Sequence, residues 1–76
     1  MTLRLGEDSN TAKLHEGDEL LTLDEVAEFL RTPPATLRYW RHCGVGPHSF
    51  KIGRSVRYWR STVIAWIQDQ EHHDVA

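Results

Sequence analysis

Basic side chains without acidic neighbours are the feature of this sequence best suited to chemistry. Residues 31–60 hold seven cations and no carboxylate: Arg31, Arg38, Arg41, Lys51, Arg54, Arg57 and Arg60. Residues 1–30 hold two cations against eight acidic side chains, and residues 61–76 hold three acidic side chains and no cation. The net charge of −2 therefore conceals a central segment of +7 between acidic flanks. Such a segment would attract a polyanion, and a fortuitously basic, solvated stretch is the simpler alternative.

Side chains that could ligate a metal or act as nucleophiles do not form a recognisable site. His42, Cys43 and His48 are three potential ligands, but their spacing matches no closed zinc site. We expect Cys43 to be a small, partly buried hydrophobe and His72–His73 to be a pair in a polar tail. The carboxylates have no histidine or hydroxyl partner at useful spacing, and no phosphate-cradling glycine loop is present. The sequence therefore predicts no catalytic residue, no metal and no cofactor.

The length limits the chain to one small domain. A chain of 76 residues and 8.8 kDa has a marginal hydrophobic core. No apolar run approaches the roughly 20 residues that span a bilayer, so no membrane partner is expected. The first residues become acidic too early for a secretory leader, and a single cysteine is typical of a reducing compartment. We therefore expect a cytoplasmic protein.

The first helix is predicted just before the basic segment. Thr22 and Glu25 have the spacing of a capping box, in which each side chain bonds the other residue's backbone. The apolar residues that follow the cap fall at helical spacing on one face: Leu23, Val26, Ala27 and Leu30. The pattern predicts an amphipathic helix that ends near Arg31, because prolines follow.

A second helix is predicted to begin at the proline pair. Pro33 would lie outside it, Pro34 at its first position, and Gly44 just after its end. Leu37 and Trp40 would face the core. Because only two or three residues separate the helices, they must meet at a sharp angle, as in a helix-turn-helix.

A hairpin and a third helix complete the predicted elements. A three-residue loop, Gly53–Ser55, would pair Ile52 with Val56, Phe50 with Tyr58 and Lys51 with Arg57. The third helix, capped by Ser61, would bury Val63, Trp66 and Ile67 and leave Ile64 exposed. We predict an N-terminal arm over residues 1–19, a domain over 20–70 and a polar tail over 71–76.

Four segments together carry a family pattern: Leu21–Leu30, Pro34–Trp40, Ile52–Tyr58 and Ser61–Ile67. They resemble the DNA-binding domain of small phage excisionases, which belong to the mercury-resistance-regulator (MerR) superfamily together with AlpA-type prophage regulators. Seven Arg against two Lys point to a GC-rich genome. The resemblance extends to the mycobacteriophage excisionases. The resemblance implies a mainly α single domain with a small β-hairpin, that is, a winged helix-turn-helix.

The resemblance also implies two sets of DNA contacts. The second helix would enter the major groove, and the hairpin would form a wing against an adjacent minor groove or the backbone. The candidate recognition-helix residues are Thr36, Arg38, Tyr39, Arg41 and His42. The candidate wing residues are Lys51, Arg54, Ser55 and Arg57. Arginines can make bidentate contacts to guanine or phosphate, and an arginine at a wing tip suits a narrow minor groove.

The function that the resemblance implies is that of a recombination directionality factor. Such a protein binds and bends double-stranded DNA near a phage attachment site, and it directs a separate integrase towards excision. Several copies would bind side by side, with candidate protomer contacts at Leu3, Leu5, Trp59 and Ile64. A small transcriptional regulator and a basic protein-interaction module remain alternatives.

Overall fold

Three helices and one antiparallel sheet build the part of the chain that the computed structural model describes, residues 15–74. In chain order the elements are β1 (Leu20–Thr22), α1 (Leu23–Leu30), α2 (Pro34–Cys43), β2 (Phe50–Ile52), β3 (Ser55–Trp59) and α3 (Arg60–His73). The sheet order is β1-β3-β2, with both strand pairs antiparallel. This arrangement is a winged helix-turn-helix, which confirms the fold predicted from the sequence.

The predicted cap of α1 is present in full. The Glu25 backbone N–H donates to Thr22 Oγ1 over 3.1 Å, and the Thr22 N–H donates to Glu25 Oε1 over 2.8 Å. Val26 and Ala27 are buried, as the apolar pattern predicted. The helix ends at Leu30, and Arg31 then adopts a left-handed conformation with φ of 55°.

The start and end of α2 also follow the prediction. Pro33 is extended at the N-cap position, Pro34 is the first helical residue, and Gly44 closes the helix with φ of 73°. Glycine adopts that left-handed conformation without the steric cost that a Cβ would add. Leu37 is buried, and the Trp40 ring lies 5.5 Å from the Trp66 ring of α3. The helix-turn-helix pair is therefore packed on both the sheet and the third helix.

The predicted three-residue hairpin loop is wrong. The loop has two residues, because Phe50 pairs with Arg57, Lys51 with Val56 and Ile52 with Ser55. Gly53 has φ of 63°, and the tight two-residue turns that suit a twisted hairpin need such a positive φ at their first central residue. The shift of register separates the two cations that were predicted to share one face, Lys51 and Arg57.

A third strand, β1, was not predicted. It pairs with β3 so that Leu21 lies opposite Tyr58 and Leu20 opposite Trp59. Paired residues share a sheet face, so Leu21, Val56 and Tyr58 point to the helices. The buried core consists of residues from every element except β2: Leu21, Val26, Ala27, Leu37, Tyr58 and Val63.

The third helix starts and ends differently from the prediction. It begins at Arg60, and Ser61 is a donor within its first turn rather than its cap. The helix continues to His73, three residues into the predicted tail. Two exposure predictions are also wrong, because Ile64 is half-buried and Cys43 is exposed. Position 64 lies beside the core-facing residues of α3, and position 43 lies at the exposed end of α2.

Residues from the predicted arm hold the start of α3. The carboxylate of Asp18 accepts hydrogen bonds from the backbone N–H and the hydroxyl of Ser61, and it contacts His15 Nδ1 at 3.0 Å. The Arg60 N–H donates to the carbonyl of Glu19 over 2.9 Å. Hydrogen bonds from Ser61 and His15 hold the pKa of Asp18 well below its usual range. Residues 15–19 are therefore attached to the folded domain, whereas the rest of the predicted arm lies outside the described residues.

The depressed pKa of Asp18 predicts an acid-sensitive contribution to stability. A carboxyl group whose folded pKa is lowered stabilises the fold above its unfolded pKa, about 4, and loses that contribution as the pH falls further. Asp18→Asn should therefore lower the melting temperature at neutral pH, and the difference from the parent should narrow in acid. Circular-dichroism melts from neutral pH to below pH 4 measure this. Glu16→Gln is the control, and a difference that stays constant with pH would contradict the assignment.

Candidate nucleic-acid interface

One face of α2 projects from the domain, and none of the residues 15–74 packs against it. Ala35, Arg38, Tyr39 and His42 are spaced i, i+3, i+4 and i+7 and are all exposed, Tyr39 to 65%. Leu37 lies on the opposite side of the helix in the core. The exposed face therefore presents a guanidinium, a phenol and an imidazole together, all of which can bond to base edges or phosphates.

The other two candidate residues of α2 lie at the margin of this face. Thr36 and Arg41 are half-buried. Arg41 Nε–H donates to Ser49 Oγ over 2.7 Å, so its guanidinium is tied to the loop that leads into β2. Burial raises the pKa of the Tyr58 hydroxyl, while the charge of Arg41 and hydrogen bonding by Ser49 act against that rise. Arg41 thus joins α2 to the loop and the central strand, and its contact with DNA stays a prediction.

The candidate wing residues surround the hairpin turn. Arg54 occupies the second position of the two-residue loop and is exposed, as are Lys51 and Ser55. Arg57 is half-buried and donates from Nη1 to the carbonyl of Val56 over 2.8 Å. Lys51 and Arg57 point to opposite faces of the sheet, so the wing presents cations on both sides of a cationic tip.

The helix and the wing meet at a small cleft of about 260 Å³. Its walls come from the end of β1, from the start of α1, from α2 and from β3: Thr22, Leu23, Asp24, Arg38, Ser55, Val56 and Arg57. The fold thereby brings Arg38 of α2 close to two candidate residues of β3, Ser55 and Arg57. Asp24 is the one acidic residue among the residues that line this cleft.

None of the seven cations of the central segment is neutralised within residues 15–74. The two ion pairs in that range join His15 to Asp18 and His73 to Asp69. Five of the cations lie on α2 and the hairpin, whereas Arg31 follows α1 and Arg60 lies over the Phe29 ring at 5.9 Å. Cations without carboxylate partners are free to neutralise phosphates, which is the main source of affinity for duplex DNA.

The candidate protomer contacts have mixed positions. Trp59 lies on the outer face of the sheet, where the His15 ring stacks on it at a centroid distance of 4.0 Å. Ile64 is half-buried, and Leu3 and Leu5 lie outside the described residues.

The described part of the chain holds no group of three or more metal-ligating side chains. None of its helices has the length and apolar character needed to cross a membrane.

The Arg41–Ser49 bond predicts a structural effect that Arg38 should not share. Arg41→Ala should lower the free energy of unfolding by about 1.5–3 kcal/mol, as loss of a charge-assisted hydrogen bond does. Arg38→Ala should change it by less than about 0.5 kcal/mol, because the side chain is exposed. Urea unfolding of both variants and of Ser49→Ala measures this. A double-mutant cycle with no coupling between positions 41 and 49 would refute the bond.

Comparison with known proteins identifies the chain at the level of its family. A family model described as a helix-turn-helix domain matches residues 20–71, from β1 to the last turns of α3. Comparisons with curated proteins and with solved structures gave no match. The family match spans most of the chain and includes both α2 and the wing. The chain therefore belongs to the helix-turn-helix domain family and is a DNA-binding protein.

Proposed function

We propose that this protein is an excisionase-type accessory factor, which binds and bends DNA so that a separate integrase carries out excisive recombination. The observation that carries the proposal is that an exposed helix face and a cationic wing border one cleft. Within the described residues, no arginine or lysine pairs with a carboxylate. The resemblance of four segments to small phage excisionases supports the choice among helix-turn-helix functions. The protein has no catalytic role of its own and acts in the cytoplasm on DNA.

The exposed face of α2 supplies the sequence readout. An α-helix fits the major groove, which is about 12 Å wide. Arg38, Tyr39 and His42 project from the side of α2 that faces away from the core, so they meet the base edges and the flanking phosphates. Arg38 is the residue best suited to a guanine, because its guanidinium donates two parallel hydrogen bonds to O6 and N7.

The wing supplies contacts at an adjacent groove. Arg54 at the tip enters a narrow minor groove of negative potential, and Lys51 and Arg57 hold phosphates on the two sides of the hairpin. Binding at two grooves on one side of the duplex favours a bend, because a bent duplex contacts both elements at once. Such a bend costs about 1–6 kcal/mol, which the added contacts offset.

The same DNA surface would also serve a small transcriptional regulator of the AlpA type, which the resemblance includes. The two functions differ in what the bound protein does next. An excisionase occupies neighbouring sites near an attachment site and changes the direction of an integrase, whereas a dimeric regulator occupies one palindromic site. A protein-interaction module would need no duplex affinity at all.

A duplex-binding titration tests the surface. Arg38→Ala should cost about 1–3 kcal/mol on the specific site and less on random duplex, whereas Arg54→Ala should weaken both equally. With about six phosphates contacted, log affinity should fall with a slope near −5 against log salt. Fluorescence anisotropy with labelled duplexes gives both quantities. Arg60→Ala, an exposed cation away from α2 and the wing, is the control, and losses as large for Arg60→Ala would contradict the assigned surface.

A recombination assay tests the excision role separately. Purified integrase is incubated with its left and right attachment-site DNA, or with the two integration substrates, with and without this protein. We expect excision to rise and integration to fall, with Arg38→Ala much less effective than Arg60→Ala. Footprints should show several adjacent protected segments that appear together. Duplex binding without any effect on either reaction, at a single palindromic site, would replace the excision role by the regulatory one.

A further inference from the structure

A second concave surface lies among the three helices and is lined mainly by aromatic side chains. Its apolar walls are Phe29 of α1, Trp40 of α2, Val45 of the following loop, and Trp66 and Ile67 of α3, and we call it the aromatic groove. Its volume is about 840 Å³, which is within the usual size range of concave binding sites. Phe29 is 44% exposed and Val45 is 54% exposed. Accessible aromatic side chains at a concave surface are typical of sites that bind another protein.

The fold holds the walls of the aromatic groove in place. The Trp40 and Trp66 rings lie 5.5 Å apart, and the Val45 N–H donates to the Trp40 carbonyl over 2.9 Å. Gly46 has φ of 83°, and a Cβ at this position would lie 3.0 Å from Cε3 of Trp40. Glycine therefore allows the loop after α2 to pack closely on the Trp40 ring. A surface with fixed walls loses little conformational entropy when a partner binds.

Two cations outside α2 and the wing lie at this groove. Arg31 is one of its lining residues, and the Arg60 guanidinium lies over the Phe29 ring, 5.9 Å from the ring centroid. Both arginines are exposed, and neither forms an ion pair within residues 15–74. The described residues that line the groove include no acidic side chain. Apolar walls bordered by unpaired cations are complementary to an apolar segment that carries carboxylates.

The aromatic groove is separate from the cleft between α2 and the wing, because the two have no lining residue in common. The first residues of α1 line the cleft, whereas its last two, Phe29 and Leu30, line the groove. These eight residues form a helix about 12 Å long. On α2, Trp40 lies one turn after the buried Leu37, on the core side, whereas Arg38 lies on the exposed face. A partner in the groove would therefore leave the candidate DNA surface accessible.

We propose that the aromatic groove binds an acidic amphipathic helix of a partner protein. Its apolar side chains insert between Phe29 and the two tryptophans, and its carboxylates meet Arg31 and Arg60. Helices and loops line the groove and no strand does, so an extended peptide would find no sheet edge to pair with. A helix satisfies its own backbone and presents apolar side chains at i, i+3, i+4 and i+7 on one face. The proposal does not depend on the excision role, because a regulator could use the same surface.

Nuclear magnetic resonance of the full-length chain tests the site, because its three tryptophans report on different surfaces. Trp40 and Trp66 line the groove, whereas Trp59 stacks with His15 on the outer face of the sheet. The probe is a synthetic helical peptide with leucines at i, i+3, i+4 and i+7 and glutamates on both sides of them. We expect the indole N–H signals of Trp40 and Trp66 to shift during the titration and the Trp59 signal to stay. Matched peptides with lysine for glutamate, or with alanine for leucine, should bind several-fold more weakly.

Substitutions of the two arginines test the charge complementarity. Arg31→Gly removes one cation where φ is 55°, a conformation that glycine adopts without steric cost, so the fold should be retained. This variant should bind the glutamate peptide several-fold more weakly, while its melting temperature should not fall. Arg31→Glu combined with Arg60→Glu should reverse the preference and select the lysine peptide. Lys51→Glu, which changes an exposed cation of the wing, is the control and should leave peptide affinity unchanged.

Several results would overturn the proposal. These are the absence of a Trp40 and Trp66 shift with the glutamate peptide, a shift of Trp59 alone, and equal affinity for the glutamate and lysine peptides. Signals of Trp40 and Trp66 that shift with protein concentration alone would make a second copy of this chain the occupant. Displacement of the peptide by duplex DNA would assign the groove to the DNA surface. The titration itself needs neither DNA nor integrase, so its failure is distinguishable from a failure of the excision assay.

Discussion

The burial of Tyr58 at the centre of the sheet is the constraint on which the rest of the structure depends. Tyr58 is 1% exposed and lies in the middle strand, where Leu21 of β1 pairs with it. Its neighbours Arg41 and Ser49 connect the same point to α2 and to the loop before β2. One aromatic side chain thus links β1, which precedes α1, to α2 and to the loop and strand of the hairpin.

This arrangement explains how so small a core can hold two separate elements that are candidates for DNA contact. Six buried apolar residues are few, and a chain of this length is marginally stable. The two elements nevertheless lie side by side, because Arg38 of α2 and Arg57 of β3 line one cleft. Both elements are also anchored in the same core, because Leu37 of α2 and Tyr58 of β3 belong to one buried cluster.

The electrostatic surface of the protein depends on how far the acidic side chains lie from the basic ones in the fold, as well as in the sequence. The acidic flanks would cancel the basic centre if they folded onto it. Within residues 15–74, however, the ion pairs involve only histidines, and Asp18 is engaged with Ser61 at the start of α3. The cations of α2 and the wing are left unpaired there, so a protein of net charge −2 presents a strongly positive surface to DNA.

The sequence by itself determined the parts of the fold that local interactions fix. Thr22 and Glu25 define the start of α1 through a bond across three residues, and Pro34 and Gly44 define the ends of α2 through their own backbone preferences. The cationic segment and its assignment to a helix and a hairpin could also be predicted from the sequence. Charge and the spacing of apolar residues are local properties of the chain. The candidate DNA-binding residues followed from these features and from the family pattern.

Only the tertiary structure decided the features that depend on partners far along the chain. The strand Leu20–Thr22 exists because β3 pairs with it, and Asp18 holds α3 across 43 residues of sequence. The alternation of residues 50–58 is compatible with a two-residue or a three-residue loop. The structure has the shorter loop, in which Gly53 adopts the positive φ that such a turn needs. Lys51 and Arg57 consequently lie on opposite faces of the sheet. The bond from Arg41 to Ser49 likewise arises only when the loop folds back on α2, so no local pattern distinguished this arginine from Arg38.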